Sequence, residues 1–373
     1  MNDNKIIIIS SLSMSLINFR GHLLKKLIDK NYEVIACAPD EDKETRIKLK
    51  EMGVKLIKYN LSRRGLSPFG DLKSIIELYK IINSEKPNHL IAYTIKPVIY
   101  GSLSGWLAGV KNIYSIITGL GYLFIGNSLK QKAVRVWIKK LYQISLNRNK
   151  KIFFQNDDDI SFFLSEKIIR NKYKAIKING SGVDLKYYFR SKPIIKPIKF
   201  LIVARLLKEK GVLNFLDAAQ NIKIKSSDTF FEIVGWQDNG PSAISIDKLN
   251  EMQNKEIIKF FGYQNDVRKF YEHSSVFVLP SYREGTPRTS LEAMSMGKPI
   301  ITTDAPGCKE TVIENYNGFL VPVNDTKKLQ EAMEKFILNP GLIVEMGEKS
   351  RKLAKQKFDV EKVNGVLIKE LEL

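Results

Sequence analysis

The sequence of residues 283–297, REGTPRTSLEAMSMG, is the most informative stretch of this chain. The apolar run before it, at 275–280, is typical of a buried strand. We expect a helix at about 287–296, with Thr286 as its cap, Pro287 in its first turn and Gly297 at its carboxyl end. The amino terminus of a helix favours anions, so the turn at Gly285 and Thr286 is a predicted phosphate site.

Two carboxylates flank this turn. Glu284 precedes the predicted helix and Glu292 lies inside it. Both side chains can accept hydrogen bonds from sugar hydroxyls. An isolated pair of glutamates is more often a solvated pair on an ordinary loop and helix, because exposed Glu is the norm. The Gly and Pro residues around this pair favour a binding turn.

Outward from this stretch, apolar runs alternate with amphipathic segments, the pattern of parallel sheets covered by helices. A connector at 191–197 contains two prolines and separates two series of such runs. We predict an α/β fold of two Rossmann-like doubly wound domains, residues 1–190 and 191–373, facing a central cleft. The last helix, at 360–373, could pack on either domain. The predicted strands lie at 6–10, 33–37, 89–93, 112–117, 151–154, 199–204, 229–234, 257–261 and 275–280.

Composition limits the class of protein. A chain of 373 residues with 44% hydrophobic and 27% charged residues is large enough for two cores. The two cysteines, Cys37 and Cys308, lack metal-ligand spacing. The apolar run at 6–9 is too short for a signal peptide, and the uncharged stretch at 112–129 is too rich in glycine for a good membrane span. These features favour a reducing cytoplasm.

The net charge of +20 is unevenly distributed. Residues 1–190 hold 33 Lys and Arg against 16 Asp and Glu, whereas residues 191–373 hold 27 against 24. Residues 86–156 contain no acidic residue. We expect this part of the chain to attract an anionic surface such as the inner face of a membrane.

Several segments of the first half leave alternatives open. Residues 13–22 are expected to form the loop between the first strand and the first helix, with acceptor contact and ordinary loop structure equally compatible. The basic helix at 129–146 has a stripe of Ala133, Trp137 and Leu141 that is more typical of core than of membrane contact. Residues 119–124 are interpreted as a sugar-facing or structural loop. At 157–159, three aspartates favour a helix start capped by Asn156 over a metal site.

The block at 283–297 resembles the signature of retaining glycosyltransferases of the GT-B fold, in particular glycosyltransferase family 4. That signature has two glutamates separated by seven residues, Gly and Pro after the first, and Glu-Ala-Met before a helix-ending Gly. Segments 298–307 and 317–321 are also similar to the family. The matching residues are Glu284, Gly285, Pro287, Glu292, Ala293, Met294 and Gly297.

A second block, at 203–211, supports the same resemblance. In the family, the matching Arg and Lys hold the donor diphosphate, which makes Arg205 and Lys210 the expected cations. Fixed cations stabilise a pyrophosphate leaving group as it gains negative charge. On their own, an Arg and a Lys at this spacing are usually solvated. Many family members have a histidine in a first-domain loop, but the comparable stretch here, 117–121, has none.

The resemblance implies a retaining transferase that moves a hexose or N-acetylhexosamine from a nucleoside diphosphate donor, UDP rather than GDP, to a polyprenyl-diphosphate-linked glycan. Arg205, Lys210 and Glu284 would be catalytic, and Gly285, Thr286 and Glu292 would bind substrate. No cofactor or metal is expected. The protein would act at the cytoplasmic face of the membrane in capsule or O-antigen synthesis. The alternatives are a sugar-nucleotide epimerase or hydrolase and, on charge alone, a nucleic-acid-binding protein, although no nucleic-acid motif accompanies the charge.

Overall fold

The computed structural model describes residues 4–62, 67–120, 129–238, 240 and 242–373. The chain divides into two compact units. The first unit consists of residues 1–181 together with 364–373, and the second unit consists of residues 182–363. The connector at 191–197, where the sequence predicts a boundary, lies within the second unit.

The described part of the first unit contains one parallel sheet. Its strands are β1 (Lys5–Ile9), β2 (Glu33–Ala38), β3 (Lys55–Lys58), β4 (His89–Tyr93), β5 (Asn112–Ile117), β6 (Lys151–Phe154) and β7 (Ala175–Lys177). Its helices are α1 (Ser13–Asp29), α2 (Lys43–Glu51), α3 (Pro68–Glu85), α4 (Ile95–Leu107), α5 (Leu129–Leu146) and α6 (Asp157–Ser165). The strand order β3-β2-β1-β4-β5-β6-β7 reverses direction between β1 and β4, as in a doubly wound sheet.

Strand β1 explains why helices cover both faces of this sheet. Its isoleucines are fully buried and alternate between two hydrophobic clusters. Ile7 and Ile9 belong to the cluster on one face, and Ile6 and Ile8 to the cluster on the other. Each buried isoleucine contributes roughly 1.5–3 kcal/mol relative to an exposed one. A continuous apolar run of this kind is therefore stable only in the middle of a covered sheet.

Residues 13–22 are helical, so the expectation of a loop there is wrong. Helix α1 begins at Ser13. Leu16, Leu23, Leu24 and Leu27 are buried at helical spacing against the first sheet. The buried apolar stripe of α1 therefore begins within residues 13–22, the segment that was expected to be a loop.

Helix α5 buries only part of the stripe that the sequence suggested, since Leu141 packs against the core of the first unit as predicted. Ile138, Tyr142 and Leu146 face the core, whereas Trp137 is 67% exposed and Val136 is 65% exposed. The core interpretation of Trp137 is therefore wrong, and the side chain of Ala133 lies outside the described residues. Among the helices that the structure describes, none is long and apolar enough to cross a membrane.

The second unit holds another parallel sheet within its described residues. Its strands are β8 (Lys199–Val203), β9 (Phe230–Val234), β10 (Lys259–Phe260), β11 (Val276–Leu279), β12 (Ile300–Thr303) and β13 (Gly318–Val321). Its helices are α7 (Val212–Lys225), α8 (Ile246–Asn254), α9 (Arg268–Glu272), α10 (Arg288–Ser295), α11 (Thr326–Leu338) and α12 (Gly341–Leu353). The order β10-β9-β8-β11-β12-β13 reverses between β8 and β11. Two parallel Rossmann-like sheets confirm the predicted fold class.

The last helix, α13 (Val360–Leu371), begins in the second unit and ends in the first. Leu367, Ile368 and Leu371 join a hydrophobic cluster of the first unit. The hydroxyl of Tyr114 on β5 donates a hydrogen bond to the Leu371 carbonyl at 2.8 Å. The end of the chain is therefore part of the packing of the first sheet.

Lys298 is a buried cation between α10 and β12. Its ammonium donates hydrogen bonds to the carbonyls of Ser274 at 2.8 Å and Glu272 at 3.2 Å, near the carboxyl end of α9. Burial lowers the pKa of Lys298 to about 8. The unfolded chain therefore binds more protons than the folded protein between about pH 8 and the ordinary lysine value, and stability rises with pH across that window.

We expect Lys298→Met to remove this contribution to the pH dependence. The unfolding free energy of the wild type minus that of the variant should increase by roughly 1–3 kcal/mol as pH rises from 8 to 10. Urea unfolding at a series of pH values measures it. A difference that is constant with pH would contradict the assignment.

Candidate functional site

The candidate site lies where the order of the second sheet reverses. Strands β8 and β11 are hydrogen-bonded neighbours, with Phe200 paired to Val276. Because the strands are parallel, the loops that follow them leave the sheet at the same edge. Ligands of open α/β sheets bind at such a point. The loop after β8 carries Arg205 and Lys210, and the loop after β11 carries Glu284.

Lys210 and Glu284 are in direct contact. The Lys210 ammonium forms a hydrogen-bonded ion pair with Glu284 Oε1, although the two residues are far apart in the sequence. The side chains are 18% and 14% exposed. Partial burial reduces solvent screening, so this pair is stronger than one on an open surface. The structure thus brings together two of the predicted catalytic residues.

Ser281 links Glu284 to the loop that carries Lys210. Its hydroxyl lies 2.8 Å from Glu284 Oε1 and 3.0 Å from the carbonyl of Glu209, and its single proton is shared between these acceptors. The N–H of Tyr282 also donates to the Glu209 carbonyl, at 2.8 Å. The loop that carries Lys210 is therefore bound to the loop that carries Glu284. Ser281 lies two residues before the block at 283–297, and the sequence did not assign it a role.

Two glycines permit the close approach of these loops. Gly211 has φ +71°, and a Cβ there would lie 2.0 Å from the carbonyl oxygen of Pro280. Gly307 has φ +78°, and its Cβ would lie 2.2 Å from the Glu284 carbonyl oxygen. The N–H of Glu284 in turn donates to the Pro306 carbonyl at 3.0 Å. Glycine is required at both positions, because a side chain at either one would clash with the facing carbonyl oxygen and separate the two loops.

Helix α10 starts later than predicted. Pro287, in extended conformation, occupies the cap position and no side chain caps the helix, so the expectation that Thr286 is the cap is wrong. Gly297, with φ +78°, ends the helix as predicted. Gly285 and Thr286 are buried immediately before the helix. Their backbone therefore lies near the positive end of the α10 dipole.

Glu292 lies inside the second unit rather than on a solvated helix face, since it is 7% exposed. Its Oε1 accepts a hydrogen bond from Arg288 Nε and its Oε2 accepts one from the Tyr271 hydroxyl, both at 3.1 Å. Burial and the nearby Glu292 carboxylate raise the pKa of Tyr271 and of Tyr188. Both phenols stay protonated, and Tyr271 remains a donor to the carboxylate.

Arg205 contacts a residue that the sequence interpretation missed. Its guanidinium NH1 lies 3.0 Å from Asp238 Oδ2, in the loop after β9. Strands β8 and β9 are neighbours, with Val203 paired to Val234, so these loops also leave the sheet side by side. An acidic residue just beyond a strand end was the available signal. Arg205 thus pairs with Asp238, whereas Lys210 pairs with Glu284.

The three aspartates at 157–159 start a helix, as predicted. Asn156 caps α6 by accepting a hydrogen bond from the Asp159 N–H at 2.8 Å. Asp157 pairs with Lys177. Within the described ranges, no group of three or more His, Cys, Asp or Glu side chains is arranged to hold a metal ion. Most of the loop predicted at 119–124 lies outside the described residues.

Comparison with known proteins covers both halves of the chain. Residues 187–353 match the family described as Glycosyl transferases group 1. Residues 8–156 match the family described as Glycosyl transferase 4-like. The first match includes the second sheet and the residues of the candidate site, and the second match includes β2 to β6 of the first sheet.

Two curated bacterial proteins are similar over most of the chain. The first is N,N'-diacetylbacillosaminyl-diphospho-undecaprenol alpha-1,3-N-acetylgalactosaminyltransferase of Campylobacter jejuni, 31% identical over 337 residues, 87% of this chain and 86% of that protein. The second is UDP-Gal:alpha-D-GlcNAc-diphosphoundecaprenol alpha-1,3-galactosyltransferase of Escherichia coli, 28% identical over 284 residues, 72% of this chain and 71% of that protein.

Solved structures share the fold. A glycosyltransferase from Rickettsia africae superimposes with a TM-score of 0.78 at 19% identity, covering 100% of this chain and 98% of that one. The Anabaena HepE protein in complex with UDP and glucose has a TM-score of 0.76 at 17% identity, covering 99% of each chain. These similarities extend to both sheets.

The close contact at Gly211 predicts a large effect of a single methyl group. Gly211→Ala should lower the unfolding free energy by at least about 2 kcal/mol, because the Cβ meets the Pro280 carbonyl and the left-handed backbone is strained. The matched control is Gly365→Ala in α13, where a Cβ meets nothing within 4 Å. That change should stabilise the protein by about 0.5–1 kcal/mol. Urea unfolding of both variants measures the contrast, and equal effects would contradict the prediction.

Proposed function

Because the chain belongs to the group 1, glycosyltransferase 4-like family of glycosyltransferases, we propose that it moves a hexose or N-acetylhexosamine from a nucleoside diphosphate to a polyprenyl-diphosphate-linked glycan. As a member of that family it is a glycosyltransferase. The transfer retains anomeric configuration and serves bacterial surface polysaccharide synthesis. The names of both curated relatives contain an undecaprenyl diphosphate acceptor, and one name contains the donor UDP-Gal. These names support UDP rather than GDP as the nucleotide of the donor.

The observation that carries this proposal is the contact between Lys210 and Glu284 at the strand-order reversal of the second sheet. It places a cation and a carboxylate side by side at the edge where ligands of open sheets bind. The cation suits the phosphates of a nucleotide sugar, and the carboxylate suits the hydroxyls of its sugar.

In the proposed reaction, Lys210 and Arg205 bind the donor diphosphate and stabilise the negative charge that it gains as the glycosidic bond breaks. Glu284 and the amides of Gly285 and Thr286 orient the donor sugar and the phosphate beside it. The acceptor hydroxyl attacks from the face that the diphosphate leaves, and a departing phosphate oxygen takes its proton. This route requires neither a protein base nor a metal ion.

Glu292 binds the donor ribose in this proposal. Its carboxylate is held by Arg288 and Tyr271, one partner on each oxygen. A carboxylate oxygen can accept more than one hydrogen bond, so a ribose hydroxyl can join these internal partners. The two internal contacts fix the orientation of the carboxylate before the donor arrives, which lowers the entropic cost of binding.

Lys210→Ala and Glu284→Gln should each lower kcat/KM for sugar transfer by about a hundredfold or more, because each removes a group that acts on the developing charge or on the donor sugar. The measurement is release of UDP in the presence of a lipid-linked acceptor.

The matched controls are Lys255→Ala and Glu251→Ala, which break an exposed lysine–glutamate pair at 2.6 Å at the carboxyl end of α8. Both should retain wild-type turnover. Undiminished turnover in a folded Lys210 or Glu284 variant would refute the site assignment.

We further propose that the first unit binds the anionic cytoplasmic face of a membrane through α5. Exposed Val136, Trp137 and Ile144 lie on a helix that also carries the exposed Lys140 and no acidic residue, whereas Lys139 of the same helix pairs with Glu166. Interfacial helices combine these features, since the apolar side chains enter the lipid while the cations meet its phosphates. A lipid-linked acceptor would then be presented at the same surface.

Trp137→Glu should weaken binding to vesicles rich in phosphatidylglycerol by about tenfold, because it removes a large apolar side chain and adds a repelled charge. Vesicle sedimentation measures it. The control, Leu338→Glu on α11 of the second unit, replaces an apolar side chain that is 84% exposed and should bind as the wild type does. Binding to duplex DNA but not to vesicles would instead support a nucleic-acid function.

The enzymatic alternative is a sugar-nucleotide epimerase or hydrolase with the same fold. Such an enzyme would release nucleotide or change the donor sugar without an acceptor. Incubating the wild type with UDP-sugars, with and without a lipid-linked acceptor, separates the two activities. Turnover that does not depend on the acceptor would favour the alternative.

A further inference from the structure

Asp238 lies beside Arg205 at the edge of the second sheet. The reaction proposed above gives it no role. Arg205 follows β8 and Asp238 follows β9, its hydrogen-bonded neighbour. The NH1 atom of Arg205 lies 3.0 Å from Asp238 Oδ2. The aspartate therefore touches a side chain that we have proposed to bind the donor diphosphate.

The side chains of Arg205 and Asp238 differ in their exposure to solvent. The Asp238 side chain is 11% exposed, whereas the Arg205 side chain is 46% exposed. A long arginine side chain that is half exposed loses considerable rotamer entropy when it binds a ligand. A nearly buried carboxylate beside it restricts those rotamers in advance, provided that the carboxylate is itself fixed.

The loop after β9 is hydrogen-bonded to the loop that carries Arg205 on both sides of Asp238. The N–H of Leu206 donates to the Trp236 carbonyl at 3.0 Å, and the N–H of Lys208 donates to the Ser242 carbonyl at 2.9 Å. A third bond runs from the N–H of Ile244 to the Leu206 carbonyl at 2.9 Å. Asp238 lies between Trp236 and Ser242 in the chain, so these hydrogen bonds attach the loop that carries Asp238 to the loop that carries Arg205.

The contact leaves Arg205 able to bind phosphate. Among the described residues, Asp238 is its one ion-pair partner, and a single nitrogen makes that contact. A guanidinium has several N–H donors arranged as a planar fork. The donors not directed at Asp238 therefore keep a defined direction and remain available for phosphate oxygens.

We propose that Asp238 is a positioning residue, which orients the Arg205 guanidinium for the diphosphate of the nucleotide donor. This inference rests on the proposed function of Arg205. Asp238 does not touch the substrate; it acts through Arg205 alone. Its removal therefore matters only while Arg205 is present.

A double-mutant cycle tests this dependence. We expect Asp238→Ala to weaken UDP binding about fivefold, the upper range for an exposed charge pair. In the Arg205→Ala background, the same change should have no further effect. Isothermal titration with UDP measures the four affinities, and kinetics with a UDP-sugar should show a higher KM with a smaller change in kcat.

Two further variants separate positioning from structural damage. Asp238→Asn keeps the side-chain volume but lowers the strength of the contact, so it should weaken UDP binding less than Asp238→Ala does. Glu348→Ala removes a comparable single contact, 2.7 Å from Arg190, and should leave UDP binding unchanged. Melting temperatures show whether each variant folds.

The outcomes distinguish this inference from the proposed function. If Arg205→Ala binds UDP as the wild type does, the assignment of Arg205 is wrong and the inference fails with it. If Arg205→Ala loses affinity but Asp238→Ala does not, only the inference fails. Tighter UDP binding by Asp238→Ala would show that the carboxylate competes with phosphate, and equal losses in both backgrounds would show a structural role; either result overturns the inference.

Discussion

The contact between Lys210 and Glu284 depends on the close approach of two loops at the carboxyl edge of the second sheet. These residues are 74 positions apart in the chain and meet only because β8 and β11 are adjacent. Gly211 and Gly307 let the backbones approach to distances that no side chain allows. Ser281 then joins both loops through one hydroxyl. The direction of each charged side chain follows from this backbone arrangement.

Positive charge is distributed differently in the two units of this protein. In the second unit, Lys210 and Arg205 each lie against one carboxylate, Glu284 and Asp238, which limits their freedom without removing their charge. In the first unit, residues 86–156 carry lysines and arginines with no acidic residue among them in the sequence. Four of these lysines, Lys96, Lys139, Lys150 and Lys151, pair with carboxylates from outside that stretch. A cation held by one carboxylate suits a small, defined anion, whereas a net excess of cations suits an extended anionic surface.

Buried polar groups give the second unit a rigid interior beneath the site. Glu292 accepts hydrogen bonds from Arg288 and Tyr271, and Lys298 donates to carbonyls at the end of α9. A buried charge without such partners would be costly, so each contact restricts the positions that its neighbours can take. Helix α10 is consequently held both at the turn before it and along its buried face. This rigidity supports the turn that carries Glu284.

Local sequence determined the fold class and the candidate turn. Apolar runs such as that of β1 form strands because their side chains must be buried on both faces, and Gly297 ends α10 because only glycine readily takes its backbone conformation. Tertiary structure alone decided which charged residues meet: Lys210 with Glu284, Arg205 with Asp238, and Glu292 with the buried Tyr271. It also decided that Trp137 faces outward. The physical reason is that strand and helix formation follows from neighbours in the chain, whereas these contacts follow from strand order and burial, which no short stretch of sequence contains.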